Sequence, residues 1–118
     1  MVYTHTMNTL GKQAEDRALF FLQQQGLVLI ERNWWCRLGE IDLVMLDGHT
    51  WVMVEVRYRK NHQFGGAITS LTAIKCRKLN RACRVYCQTK GLDEVSCRID
   101  AILFDGTAHP LWLKNILA

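Results

Sequence analysis

Apolar residues recur at helical spacing near the beginning of the chain. Ala14, Ala18 and Leu22 lie four residues apart, and Gly26 follows them closely. Side chains three or four residues apart share one face of a helix, and a glycine commonly lies just beyond a helix end. The pattern therefore predicts an amphipathic helix over residues 9–25.

Three segments with the alternation typical of β-strands follow this helix. They span residues 27–34, 40–46 and 51–58, and the last two are separated by Asp47 and Gly48. Successive side chains of a strand point to opposite faces, and Asp-Gly is a common hairpin turn. The three segments therefore predict an antiparallel meander.

The second half of the chain predicts one more helix and two more strands. Helical spacing runs over residues 71–90, with Gly91 behind it, and strand-like segments cover residues 95–104 and 110–117. The buried face of this second helix is expected to consist of Leu71, Leu79, Ala82, Cys83 and Tyr86. The order of elements predicts one α/β domain, in which two helices flank a central mixed sheet of about five strands.

Length and composition limit the class of protein. With 118 residues, 49% of them hydrophobic, the chain is long enough for one domain with its own core. The polar residues 1–8 are expected to be disordered, and no apolar run approaches the roughly 20 residues that span a bilayer. The five cysteines are odd in number and lack a Cys-x-x-Cys pair, which favours reduced thiols. These features predict one soluble cytoplasmic domain comprising residues 1–118.

The basic residues are concentrated in one part of the chain. Nine lysines and arginines and no acidic residue lie between Val56 and Leu92, whereas the remaining chain holds six basic and all eleven acidic residues. A surface of one sign attracts a polyanion and releases its counterions, although a solvated helix face is the alternative interpretation. The residues expected to bind nucleic acid are Arg59, Lys60, Arg77, Lys78 and Arg81.

Two acidic residues of the predicted meander are expected to lie side by side. If Leu46 pairs with Trp51 across the turn, the same register places Asp42 opposite Glu55. A shorter turn would instead place Glu40 opposite Glu55. Directly opposed residues have Cβ atoms about 4.5 to 5.5 Å apart, so either register brings two like charges together.

A divalent cation would offset the repulsion between these carboxylates. The strand face that carries Asp42 and Glu55 is otherwise apolar, and burial there would raise the pKa of a carboxyl group. The apolar residues expected on this strand face are Val44, Leu46, Trp51 and Met53. Mg²⁺, or Mn²⁺ in its place, binds one or two carboxylates and keeps several waters. The pair therefore predicts a metal site, and the alternative is a pair of hydrated acids at the edge of a sheet.

Three segments carry a resemblance to a known family. They are Gly39-Glu40-Ile41-Asp42-Leu43, Val54-Glu55-Val56-Arg57-Tyr58-Arg59 and Arg98-Ile99-Asp100. Together they closely resemble the YraN-like family of bacterial proteins, over about residues 11–104. That family resembles a minimal member of the PD-(D/E)XK, or restriction-endonuclease-like, nuclease superfamily and is similar to archaeal Holliday-junction resolvases.

The resemblance implies roles for individual residues. Asp42 and Glu55 match the two metal-binding acids of the superfamily, and Glu15 matches an acid that the first helix supplies in many members. The superfamily usually has lysine two residues after the second acid, where this chain has Arg57. Arginine stays protonated and cannot act as a general base, but it can stabilise charge in the transition state. Lys75, which helical spacing places beside the apolar face, is the candidate for the missing ammonium group.

The sequence therefore predicts a magnesium-dependent endonuclease that acts on DNA, and the resolvase resemblance suggests branched or structured DNA. Its catalytic residues are expected to be Glu15, Asp42, Glu55, Arg57 and Lys75. A homodimer is consistent with this function, because symmetric cleavage needs two active sites. One alternative is a catalytically inactive nucleic-acid-binding module of the same fold. Another is a protein-protein adaptor whose exposed anchors are Trp34, Trp35 and Trp112.

Overall fold

The described part of the chain, residues 9–61, 63–107 and 109–117 of a computed structural model, consists of two helices and a five-stranded sheet. In chain order the elements are α1 (Thr9–Gln24), β1 (Val28–Cys36), β2 (Gly39–Asp47), β3 (Thr50–Arg59), α2 (Ala73–Lys90), β4 (Cys97–Asp105) and β5 (Leu111–Leu113). The predicted disorder of residues 1–8 lies outside the described residues. The predicted α/β class is confirmed, and the arrangement is compatible with a restriction-endonuclease-like fold.

The sheet is mixed, and its strands follow the order β1-β2-β3-β4-β5. The first three strands form the predicted antiparallel meander, β4 runs parallel to β3, and β5 runs antiparallel to β4. A parallel pair needs a crossover connection, which α2 supplies. Leu46 pairs with Trp51, and Asp47 pairs with Thr50. The first of the two predicted registers is therefore correct, and the register that opposes Glu40 to Glu55 is wrong.

Each face of the sheet is covered by one helix. The α1-side core contains Ala14, Ala18, Leu22, Leu43, Met45, Val52, Val54, Ile102 and Phe104. The α2-side core contains Ile41, Val44, Met53, Leu79, Ala82, Cys83, Tyr86, Cys87 and Ile99. Val44 and Met53 share one face, as the predicted alternation requires. Neither helix in the described residues is both long and apolar enough to cross a lipid bilayer.

Helix α2 begins two residues later than predicted. Thr72 is its N-cap, because its backbone is extended and its side chain accepts the backbone N–H of Lys75 at 3.2 Å. Leu71 therefore lies outside the helix, where it packs against a small core of Ala67, Ala101 and Leu103. The buried face of α2 consists instead of Leu79, Ala82, Cys83, Tyr86 and Cys87.

The last strand is shorter than the predicted segment 110–117. Only three residues pair with β4, and Asn115 then takes a positive φ of 55°. Its backbone N–H donates to the carboxylate of Asp100 at 2.9 Å, and the N–H of Ile116 donates to the carbonyl of Ile99 at 2.7 Å. The chain turns back across β4 because the buried carboxylate of Asp100 supplies the acceptor.

Two of the three tryptophans that were expected to be exposed pack into the fold. The ring of Trp34 meets Tyr86 edge-on at a centroid distance of 5.1 Å, and that of Trp112 meets Phe21 at 5.9 Å. Trp35 is 69% exposed. Alternation along β1 turns Trp34 inward and Trp35 outward. The predicted adaptor surface is therefore wrong for Trp34 and Trp112.

Candidate metal centre

The alternation of β2 is interrupted at Asp42. Ile41 and Val44 both belong to the α2-side core and Leu43 to the α1-side core, although regular alternation would place Ile41 and Leu43 on the same face. Backbone pairing with β3 ends at Leu43, which pairs with Val54. Asp42 therefore lies where the two strands separate.

The carboxyl group of Asp42 is partly buried between β2 and β3. Its Oδ2 atom accepts a hydrogen bond of 2.8 Å from the backbone N–H of Val56. Burial and the charge of Glu55 raise the pKa of Asp42 to about 8, the Val56 N–H opposes the rise, and Glu15 and Glu40 add to it. The carboxyl groups of Asp42 and Glu55 lie close enough to affect each other's pKa. The predicted approach of these two residues is confirmed, and the raised pKa of Asp42 favours its protonated form near neutral pH.

Glu55 lies in contact with a cation that is itself held in place. Arg57 donates through Nη1 to Glu55 Oε2 at 3.1 Å and through Nε to the hydroxyl of Ser70 at 2.8 Å. Burial raises the pKa of Glu55, whereas Arg57, the hydrogen bond with Asp42 and the charge of Lys75 lower it. Arg57 is therefore fixed beside the acid pair by two partners.

Two more carboxylates approach Asp42 from α1 and from β2 itself. One ligand oxygen each of Glu15, Glu40 and Asp42 can be chosen so that all three lie within 4.8 Å of one another. The side-chain amide of Asn33 donates to Glu15 at 3.0 Å and to Glu40 at 3.3 Å. Arg32 Nη2 lies 3.6 Å from Glu15 Oε1. Asp42 thus belongs both to the pair with Glu55 and to the cluster with Glu15 and Glu40.

This donor set suits a hard divalent cation. All of the donors are carboxylate oxygens, which Mg²⁺ and Mn²⁺ prefer over nitrogen or sulfur. Asp42 and Glu55 both have raised pKa values. A bound cation would therefore offset the desolvation of the two carboxylates and the repulsion between them. The residues therefore fit the predicted metal, with Glu15 and Glu40 close enough to hold coordinated water.

The acids line a cavity of about 620 Å³ together with basic side chains. Arg57, Arg59, Lys75 and Lys78 contribute the cations, so that the cavity presents both signs of charge to solvent. Lys75 lies in the first turn of α2 and is exposed, as its predicted position on that helix allows. The remaining predicted nucleic-acid-binding residues, Lys60, Arg77 and Arg81, are exposed.

Three residues of this region were missing from the predicted site. Glu40 was predicted to approach Glu55 only in the alternative register, although regular alternation favours one strand face for Glu40 and Asp42. Asn33 has a positive φ of 53° inside β1, and an asparagine in such a strand is a signal that could have been noticed. Ser70 follows a turn, and nothing in its local sequence indicates contact with Arg57.

The raised pKa of Asp42 predicts a pH-dependent metal affinity. A cation must displace the proton, so affinity should rise roughly tenfold between about pH 6 and about pH 7 and level off above the pKa of about 8. Titration calorimetry with Mn²⁺ at constant ionic strength would measure this, with Asp42→Asn as the variant whose weak residual binding stays flat. If the Mn²⁺ affinity of the unchanged protein is constant from pH 6 to pH 9, the raised pKa of Asp42 is contradicted.

Comparison with known proteins gives consistent matches along the chain. The model of the uncharacterised protein family UPF0102 matches residues 14–104. A UPF0102 protein of Neisseria gonorrhoeae is 47% identical over 116 residues, which cover 98% of this chain and 98% of that protein. One of Shewanella loihica is 50% identical over 107 residues, or 91% of this chain and 92% of that protein. The matched range contains all five predicted catalytic residues.

Proposed function

The chain belongs to the uncharacterised protein family UPF0102, and from the geometry of its site we propose that it is a divalent-metal-dependent endonuclease hydrolysing phosphodiester bonds of DNA. The observation that carries the proposal is the partly buried acid pair of Asp42 and Glu55 in a cavity that is also lined by cations. Membership of the PD-(D/E)XK superfamily is part of the proposal. It is supported by the order of elements and by the position of the two acids on adjacent strands.

The groups around the cavity have different proposed roles in the reaction. Asp42 and Glu55 would hold Mg²⁺ or Mn²⁺, which would supply Lewis acidity toward water and a phosphodiester. The Val56 N–H orients Asp42, and Glu15 positions water beside the metal ligands. Arg57 remains protonated and stabilises the charge that develops on the phosphoryl oxygens.

The substrate is held by the basic side of the cavity. Arg59 and Lys78 line it beside Lys75, which supplies a second positive charge for the transition state. The exposed Lys60, Arg77 and Arg81 extend the same charge along the β3–α2 region, which attracts the sugar-phosphate backbone without reading sequence. Branched or structured DNA is the proposed substrate. A cytoplasmic homodimer, with two sites for symmetric cleavage, is the proposed assembly.

A second candidate function is a nucleic-acid-binding module without catalytic activity. The observation that favours it is the engagement of Arg57 by both Glu55 and Ser70, because a residue that is held by an acid is less available to a phosphate. This module would bind DNA in a salt-dependent way that neither metal nor Glu55→Gln changes.

A cleavage assay separates the two functions. Four-way junctions, nicked duplexes, single strands and plain duplexes are incubated with Mg²⁺, Mn²⁺ or a chelator. The proposed endonuclease cleaves at least one substrate only with metal, and Glu55→Gln lowers the rate roughly 10³-fold through loss of a metal ligand. If the unchanged protein and Glu55→Gln cleave equally well, the assigned site is rejected. If DNA is bound without metal and is not cleaved, the second function is favoured.

Arg57 provides a further prediction about the transition state. At saturating metal and about pH 9, Arg57→Ala should lower kcat roughly 10²-fold, because one positive charge beside the phosphate is lost. Arg57→Lys should recover most of the rate, since an ammonium group keeps the charge. Lys114→Ala removes an equally positive but exposed side chain outside the cavity and serves as the control. Full activity of Arg57→Ala under these conditions would assign Arg57 a structural role.

A further inference from the structure

The turn after β3 carries an exposed aromatic ring. Phe64 is 95% exposed, the largest value among the large apolar side chains of the described residues. Its backbone lies in the left-handed region, with φ 56° and ψ 33°, which is unfavourable for a bulky residue other than glycine. An aromatic residue that is both strained and hydrated costs stability, and such positions cluster at functional sites.

Hydrogen bonds hold this turn in place. The N–H of Gln63 donates to the side chain of Asn61 at 2.8 Å, and the hydroxyl of Thr69 donates to the carbonyl of Gly66 at 2.7 Å. The N–H of Ala67 donates to the carboxylate of Asp105, at the end of β4, at 2.6 Å. The part of the turn that follows Phe64 in the chain is therefore hydrogen-bonded to the end of β4.

The turn begins and ends at the candidate metal centre. It leaves β3 at Arg59 and leads to Ser70, and both of these residues line the cavity that holds the acids. Lys60 adds an exposed positive charge directly before the turn. The ring therefore belongs to a segment whose two ends line the cavity and which also carries cations.

A single-stranded nucleic acid matches this combination. Its phosphates pair with the cations, and the face of an unstacked base can stack on the ring. Bases inside an intact duplex are already stacked, so they offer no free face. A protein partner would need a broader apolar surface. The sequence neighbours Asn61, Gln63, Gly65 and Gly66 are polar or glycine, and Ile68, 49% exposed, is the other large exposed apolar side chain among the described residues between β3 and α2.

We propose that Phe64 stacks on an unpaired base and gives the chain a preference for DNA with unstacked nucleotides beside the cavity. This inference rests on the proposed function only in taking DNA as the ligand, and cleavage is not required. Phe64 would thus select among DNA structures by whether a base is free, without reading its identity.

Equilibrium binding tests the proposal. The probes are a duplex with a short mismatched bubble containing 2-aminopurine and its fully paired counterpart, measured in Ca²⁺ to prevent cleavage. Phe64→Ala should weaken binding to the bubble roughly 5- to 100-fold, the range expected for losing one stacked base. It should change binding to the paired duplex less than about twofold, because the phosphate contacts remain. The protein should quench 2-aminopurine fluorescence, and Phe64→Ala should not.

Two variants make the result specific. Phe64→Trp keeps an aromatic face and should keep the preference, and Val95→Ala removes another apolar side chain, 87% exposed, without effect. The inference would be overturned if the unchanged protein bound the bubble no more tightly than the paired duplex and Phe64→Ala bound each probe equally well. This holds even if metal-dependent cleavage is found. Self-association that is lost in Phe64→Ala while its DNA binding stays unchanged would also overturn the inference. A bubble preference that depends on Phe64, without cleavage of any substrate, would support the inference and reject the endonuclease.

Discussion

Asp42→Asn is expected to lower metal-dependent cleavage by roughly 10³-fold or more while making the metal-free protein more stable at about pH 8. The loss follows because an amide is a poor ligand for Mg²⁺ and cannot offer the negative charge that offsets the cation. The rate is measured at saturating Mg²⁺ and Mn²⁺ on the best substrate of the unchanged protein, and stability is measured by thermal unfolding in chelator.

The gain in stability follows from the direction of the pKa shift. Burial and Glu55 raise the pKa of Asp42 from 3.8 to about 8, so the folded protein keeps a proton that the unfolded chain releases. That contribution to stability is complete below about pH 4 and is lost as pH rises through 8. Asparagine stays neutral, so Asp42→Asn should raise Tm at pH 8, by about 5 to 15 °C. The difference should shrink toward pH 4.

Asp93→Asn is a matched control for the same chemical change. Asp93 caps an exposed turn through the N–H of Val95, and asparagine caps equally well. Cleavage and Tm should both stay close to those of the unchanged protein. If Asp42→Asn destabilises the protein at pH 8, the carboxyl group is charged and well solvated in the folded state, and the account of its burial fails.

Asp100→Ala is expected to produce the largest loss of stability, about 3 to 5 kcal/mol, which is the usual cost of breaking a buried ion pair. Asp100 is completely buried and accepts hydrogen bonds from Arg98 Nε at 3.1 Å, Trp112 Nε1 at 2.9 Å and the N–H of Asn115 at 2.9 Å. Alanine would leave these donors without their acceptor and release the segment that follows β5. Urea unfolding at pH 7 measures the effect.

Asp93→Ala separates this result from the general effect of removing an aspartate. Loss of that exposed cap should cost only about 1 kcal/mol. Because Asp100 is absent from the residues that line the metal centre, the folded fraction of Asp100→Ala should bind Mn²⁺ normally. A free energy of unfolding within about 1 kcal/mol of the unchanged protein would show that water replaces the carboxylate at little cost.

Local patterns were sufficient to predict most of the fold. The bounds of every helix and strand except β5 lie within two residues of the predicted ones, because alternation, helical spacing and turn residues agree along the chain. The errors arise where one side-chain hydrogen bond, local at Thr72 and more distant at Asp100, decides the conformation. Thr72 ends the preceding turn as an N-cap, and the carboxylate of Asp100 terminates β5 by accepting the N–H of Asn115. Neither contact has a periodic signal.

The candidate site was predictable only in part, for a related reason. The strand register brought Asp42 and Glu55 together from turn length and alternation alone, because residues that follow one hairpin are linked by short-range geometry. The interrupted alternation of β2 at Asp42 could not be predicted in this way, because it depends on how Ile41 and Leu43 pack into the cores on opposite faces of the sheet. The amide of Asn33 joins Glu15 and Glu40 across three elements, and such contacts follow from the packing of α1 on the sheet.

The central claim is that Asp42 and Glu55 together bind a divalent cation, which displaces the proton that the raised pKa of Asp42 retains. Crystals soaked in Mn²⁺ at about pH 8.5, above the pKa of about 8, test it through anomalous diffraction. The account predicts a peak at about 2.1 Å from one oxygen of each residue, the distance expected for carboxylate ligands of such a cation. Absence of that peak at saturating Mn²⁺, with the two carboxyl groups still next to each other, would contradict it.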